Sequence, residues 1–211
     1  MKKEKLKKII DWLFEISVLK KIKRSGWRNI GIENPDSVAE HIFLTTQIAY
    51  ILGKMEKINA ERAALISLFH DTGEARIGDL NLLSKIYLKT EKAEEKAFFD
   101  QIKNLPAQKE IENLYKEWKE QKTKESIVAR DADWLEAALQ AKIYLDSGNK
   151  LAKLWIDYYE NQLKTKSAKK LIGVLKKTKI DDWWKKIPQI KKEIKKLHGE
   201  KRKIGKTKSR N

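Results

Sequence analysis

Apolar residues recur at the three-to-four-residue spacing of an α-helix along almost the whole chain, and no segment alternates convincingly with the two-residue period of a strand. Only three prolines interrupt 211 residues. Leu6, Ile9, Ile10, Leu13, Phe14 and Ile16 share one face of a helix expected over residues 4–19. Gly26, Gly31 and Pro35 punctuate a turn-rich stretch. Ser37 and Glu40 then carry the spacing of a capping box, opening a helix that runs to Gly53. Asn59 caps the next, from Ala60 to His70, which stops near Gly73. Residues 91–120 read as amphipathic helix broken near Pro106, followed by helices over 124–145 and 151–163. Short basic helices are expected over 168–177 and 182–197, with 201–211 disordered for want of apolar periodicity. The fold class is all-α.

A net charge of +17 invites a nucleic-acid reading, so its location matters. Residues 164–211 hold 19 Lys and Arg against 4 Asp and Glu, while residues 1–163 hold 28 against 26. The body is nearly balanced and the basicity belongs to the tail, so we expect one domain over 1–163 and a basic extension over 164–211. Zero cysteines exclude a disulfide framework, a thiolate zinc site and a thiol nucleophile. No apolar run approaches the roughly 18 residues of a membrane span. Asp11 and Glu15 interrupt the apolar residues that a signal peptide would need. A cytoplasmic protein is expected.

Two of only three histidines sit beside acids. His41 follows Glu40 in the first turn of its expected helix, and His70 precedes Asp71 at the end of the next. Adjacent helical residues point about 100° apart, so His70 and Asp71 grip a shared ion only from its edge, leaving room for ligands from two other helices. Asp133 lies on a helical face otherwise formed by Ile127, Ala137, Ala138 and Ala141. A carboxylate there is costly unless paired or coordinated. Imidazole with carboxylate suits Mn, Fe, Co, Ni or Zn better than Ca or Mg. Each residue also has a structural use. His41 can serve a capping turn, and a charged His70 can stabilise the C-terminal end of its helix through the dipole, an effect that Asp71 would oppose. Asp133 can pair with Arg130 or Lys142, leaving Asp131 for the surface, and Trp27 and Trp134 can pack in the core.

These residues fall in four stretches: Ser25-Gly26-Trp27-Arg28, residues 33–41 ending in Glu40-His41, residues 70–80 opening on His70-Asp71-Thr72-Gly73-Glu74, and Arg130-Asp131-Ala132-Asp133-Trp134-Leu135-Glu136. Their order and spacing resemble the HD superfamily of metal-dependent phosphohydrolases, most strongly the small HD-domain 5′-deoxynucleotidases, over roughly residues 8–165. The resemblance implies an HD-domain helical bundle in which His41, His70, Asp71 and Asp133 hold a divalent cation (Mn, Co, Fe, Ni, Zn or Mg). It implies release of phosphate from deoxyribonucleoside 5′-monophosphates by metal-activated water, and a homodimer. Glu74 matches the acid that positions or deprotonates the water, and Asp79 a second acid near the leaving group. Trp27 matches the aromatic residue that packs on deoxyribose and disfavours a 2′-hydroxyl. Gly26 stands where the bacterial pattern has an arginine directly before that tryptophan, leaving Arg24 or Arg28 to bind phosphate.

The same metal motif serves HD enzymes acting on nucleoside triphosphates, phosphodiesters or guanosine alarmones, and does not separate them. A different class of function is nucleic-acid binding through the tail, where Lys185-Lys186, Lys191-Lys192, Lys195-Lys196 and Lys201-Arg202-Lys203 would neutralise phosphates and Trp183-Trp184 would stack on bases. His198 has no assigned role.

Overall fold

Eleven α-helices, followed by helical residues 188–196, make up the computed structural model, which describes residues 3–196. They are α1 (Lys3–Ser17), α2 (Val38–Glu56), α3 (Ala60–Phe69), α4 (Glu74–Ile77), α5 (Leu82–Tyr87), α6 (Glu91–Ile102), α7 (Gln108–Glu120), α8 (Lys124–Asp146), α9 (Ala152–Gln162), α10 (Lys166–Leu175) and α11 (Asp182–Lys185). Two 3-10 turns, Val18–Lys20 and Ser25–Ile30, lie between α1 and α2. Among the described residues the sole extended pairing is an isolated bridge between Lys23 and Ser37. No described helix is long and apolar enough to cross a membrane.

The caps act where the sequence puts them. Ser37 Oγ accepts from the Glu40 amide while Glu40 accepts from the Ser37 amide at 2.6 Å, closing the capping box of α2. Asn59 Oδ1 accepts from the Arg62 amide at the start of α3. α2 runs past Gly53 to Glu56 and ends where Lys57 turns left-handed, at φ 57°. Gly53 is instead a contact point: a Cβ there would come within 2.6 Å of the Ala60 Cα. Its lack of a side chain lets α2 and α3 close on each other.

α8 is the axis of the bundle, and α2, α3, α7, α9 and α10 pack around it. Ala129, Ala132, Ala137, Ala138 and Ala141 bring its neighbours close, and Val128 and Leu135 join Leu52, Ile156 and Ile172 in the core. Each such branched side chain, fully buried, contributes about 1.5–3 kcal/mol. A second cluster, with Ile66, Phe98, Ile102 and Leu114, fills the space between α3, α6 and α7.

Several expectations are corrected. α1 leaves Leu6, Ile10, Leu13 and Phe14 exposed, Phe14 at 71%, and packs through Ile9, Trp12 and Ile16. Glu15 fixes this orientation by accepting from Arg76 and Gln101. Asp131 is no surface residue: it is 1% exposed and accepts from the amides of Lys164 and Thr165, satisfying the backbone that enters α10. Through that join α10 buries Ala168 and Ile172 in the main core. The helix expected over 182–197 breaks at Pro188, with α11 before it and helical residues 188–196 after it. Residues 197–211, with His198 and the expected disorder of 201–211, lie outside the described residues.

Candidate metal centre

The capping box sets His41 in the first turn of α2, fully buried against the middle of α8. Its Nδ1 donates to Glu136 Oε2 across 2.5 Å. His70 caps the C-terminal end of α3, and its Nδ1 donates to the Ser67 carbonyl at 2.6 Å. With Nδ1 of each ring committed to an acceptor, Nε2 is the nitrogen that each ring would offer to a cation. Both Nε2 atoms are buried and make no hydrogen bond. Asp133 Oδ1 stands 3.2 Å from His41 Nε2, and Asp71 Oδ2 stands 3.0 Å from His70 Nε2 and 3.7 Å from His41 Nε2.

One donor atom from each of His41, His70 and Asp133 lies within 4.8 Å of the other two. Two orphaned imidazole nitrogens facing carboxylate oxygens fit a divalent cation better than they fit one another, since an unsatisfied buried donor or acceptor is costly. Asp71 approaches both histidines but also accepts from Arg24 Nη1 at 3.4 Å.

The charges respond to one another strongly. Burial and the Arg24 charge oppose protonation of His41, but the Glu136 and Asp133 carboxylates outweigh them and raise its pKa to about 10. Burial favours the neutral acid at Asp133, yet the histidines and Arg130 hold it down at about 2. Burial likewise works against ionised Asp71, and His70, Arg24 and His41 overcome it to hold its carboxyl far below the usual carboxylate range. A cation bound there would compete with a proton for the same ring nitrogens.

Glu74, at the start of α4, lines the same cavity, and its Oε2 is buried without a partner. Burial first, then the neighbouring Asp71 and Asp79 carboxylates, hold the Glu74 carboxyl well above its ordinary range. Asp79 uses its oxygens as acceptors, from the Ser25 amide at 2.6 Å, Ser25 Oγ at 2.7 Å and Arg24 Nη1 at 3.1 Å. These contacts clamp the 24–30 turn onto the cavity wall.

Of the expected substrate residues, Arg24 and Trp27 line the cavity, which has a volume of about 240 Å³. Trp27 is only 4% exposed and packs edge-on against Tyr144 and Trp155. Arg28 is exposed and lies outside the cavity, because the 3-10 turn that buries Trp27 directs its neighbour outward. Of the two expected arginines, Arg24 is the one that lines the cavity. Sequence reasoning missed the role of Glu136, although its spacing from Asp133 places a second acid on the Ala-rich face of α8. It also missed Trp118, whose ring lies 4.6 Å from that of His70.

A buried histidine and carboxylate centre on an all-α bundle defines the HD-domain class of metal-dependent phosphohydrolases. A family model described as "HD domain" matches residues 16–176, and the chain belongs to that family. Among curated relatives, 5′-deoxynucleotidase HDDC2 of Dictyostelium discoideum is 32% identical over 160 residues, which cover 71% of this chain and 80% of the relative. The Homo sapiens protein of the same name is 27% identical over 156 residues, covering 72% of this chain and 76% of the relative. A solved structure, a conserved hypothetical protein from Pyrococcus furiosus, superposes with a TM-score of 0.68 at 31% identity, covering 80% of this chain and 99% of that one.

Proposed function

We propose that this HD-domain phosphohydrolase releases phosphate from deoxyribonucleoside 5′-monophosphates. The observation that carries the reading is the pair of buried, unpartnered Nε2 atoms of His41 and His70, beside a cavity lined by His70, Asp71, Asp133, Glu74 and Arg24. Similarity to the curated 5′-deoxynucleotidases supports the substrate class.

His41, His70, Asp71 and Asp133 would hold the cation, which is one of Mn, Co, Fe, Ni, Zn or Mg. When bound, such an ion makes water acidic enough to attack phosphorus at neutral pH and offsets charge on the phosphoryl oxygens. Glu74 receives the water proton or holds the water in line. Asp79 keeps Arg24 directed at the phosphate and stands on the leaving-group side. Arg24 recognises the phosphate through its planar donors. Trp27 presents an edge toward the sugar, where a 2′-hydroxyl would crowd it.

The chain acts in the cytoplasm as a homodimer, and the uncovered apolar stripe of α1 supports association. We divide it into a catalytic body over 1–163 and a basic extension over 164–211, whose first helix docks on the body. A second role for the extension, nucleic-acid contact, draws support from Trp183, which is 74% exposed among lysines.

Phosphate release across deoxy- and ribonucleoside mono- and triphosphates, with Mn, Co and Mg supplied in turn, tests the substrate. Deoxyribonucleoside 5′-monophosphates should be cleaved fastest. Preferential turnover of triphosphates or phosphodiesters would replace this reading with another HD reaction.

A further inference from the structure

We propose that Arg130 supplies a second guanidinium to the phosphate, from beside Asp133 as Arg24 does from beside Asp71, a role that rests on the phosphohydrolase reading above. Arg130 sits on α8 one turn before Asp133, and its Nη1 lies 3.5 Å from Asp133 Oδ2. Arg24 reaches the other carboxylate, with Nη1 3.4 Å from Asp71 Oδ2. The two arginines thus address Asp71 and Asp133 respectively, and both line the cavity.

The surroundings of Arg130 hold it without consuming it. Its guanidinium carbon stands 3.5 Å from the centroid of the Trp118 ring, which in turn packs on His70. Stacking engages the face of a guanidinium and leaves its edge, where all five N–H donors lie, open to in-plane acceptors. Among the described residues its one side-chain hydrogen bond is the 3.5 Å contact to Asp133, at the outer limit for such a bond. A structural ion pair would use the donors better than this. A stacked arginine also surrenders little further freedom when it binds, which suits a fork meeting two phosphoryl oxygens. Lys85, another cation of the cavity, is already engaged by Glu94 at 3.4 Å.

Calorimetric titration of inorganic phosphate into Mn-loaded wild type, Arg130→Gln and Arg130→Lys tests this, with bound Mn and Tm measured on each protein. Arg130→Gln should weaken phosphate binding by about 10- to 100-fold, the range for hydrogen bonds to a charged group. Arg130→Lys keeps a cation over Trp118 but loses the fork, and should fall between the two at unchanged Mn content and Tm. Wild-type affinity in both variants would overturn the proposal, as would a loss that only tracks missing Mn, or a wild type that binds no phosphate. The substrate reading fails separately: a protein that binds phosphate through Arg130 yet releases none from any nucleoside monophosphate keeps this assignment and loses the substrate. Normal nucleotide turnover with unchanged phosphate binding in Arg130→Gln does the reverse.

Discussion

The floor of the cavity is carried on three long-range helices, whereas its rim is made of short turns and paired charges. On the floor, His41 and His70 each spend Nδ1 on a fixed acceptor, Glu136 or the Ser67 carbonyl, so the rings cannot turn away. At the rim, Arg24, Asp79 and Ser25 hold one another on the 24–30 turn, and Arg130 leans on Trp118. The floor is oriented by hydrogen bonds of its own; the rim is a set of paired charges that a substrate can redistribute. Metal affinity should therefore follow the floor and turnover the rim, and mutations separate the two.

Glu74→Ala should give the largest effect, lowering kcat by about 10²- to 10⁴-fold while metal affinity stays near that of the wild type. Weakened metal binding with normal kcat would move Glu74 from the chemistry to the floor. Glu136→Gln removes the carboxylate that fixes His41 without touching the rim. Metal affinity should fall about 10- to 100-fold, and saturating metal should restore kcat. A kcat that stays low at saturating metal would show that Glu136 does more than orient the ring. Asp131→Ala lies on the same helix as Asp133 but faces α10. Loss of two amide contacts there should cost about 1–3 kcal/mol of stability, read as a drop in Tm, with metal affinity unchanged. Altered metal affinity would join the α10 contact to the floor and erase the distinction.

Much of the floor was legible because its signals are local. A capping box places His41, a helix end places His70 and Asp71, and an acid on an alanine-rich face marks Asp133. Glu136 was hidden because its partner stands 95 positions away, a pairing that no helical periodicity encodes. The rim was harder still. α4 and α5 are 4 and 6 residues long, too short to show a period, and they carry Glu74 and shape the wall by Asp79. The edge of α1 that meets the body was not legible for a different reason: its apolar stripe satisfies the helical pattern, but Trp12 and the Glu15–Arg76 pair decide which edge packs. Asp131 and Asp133 look alike in sequence, and only the direction of each on α8 separates a backbone cap from a member of the candidate metal centre.

Anomalous diffraction from crystals soaked in Mn or Co, collected at the absorption edge of the ion, tests the central claim most directly. A single strong peak within about 2.0–2.3 Å of His41 Nε2, His70 Nε2 and oxygens of Asp71 and Asp133 is the predicted result. A protein that binds the ion in solution but places the peak away from His41 and His70 would contradict it.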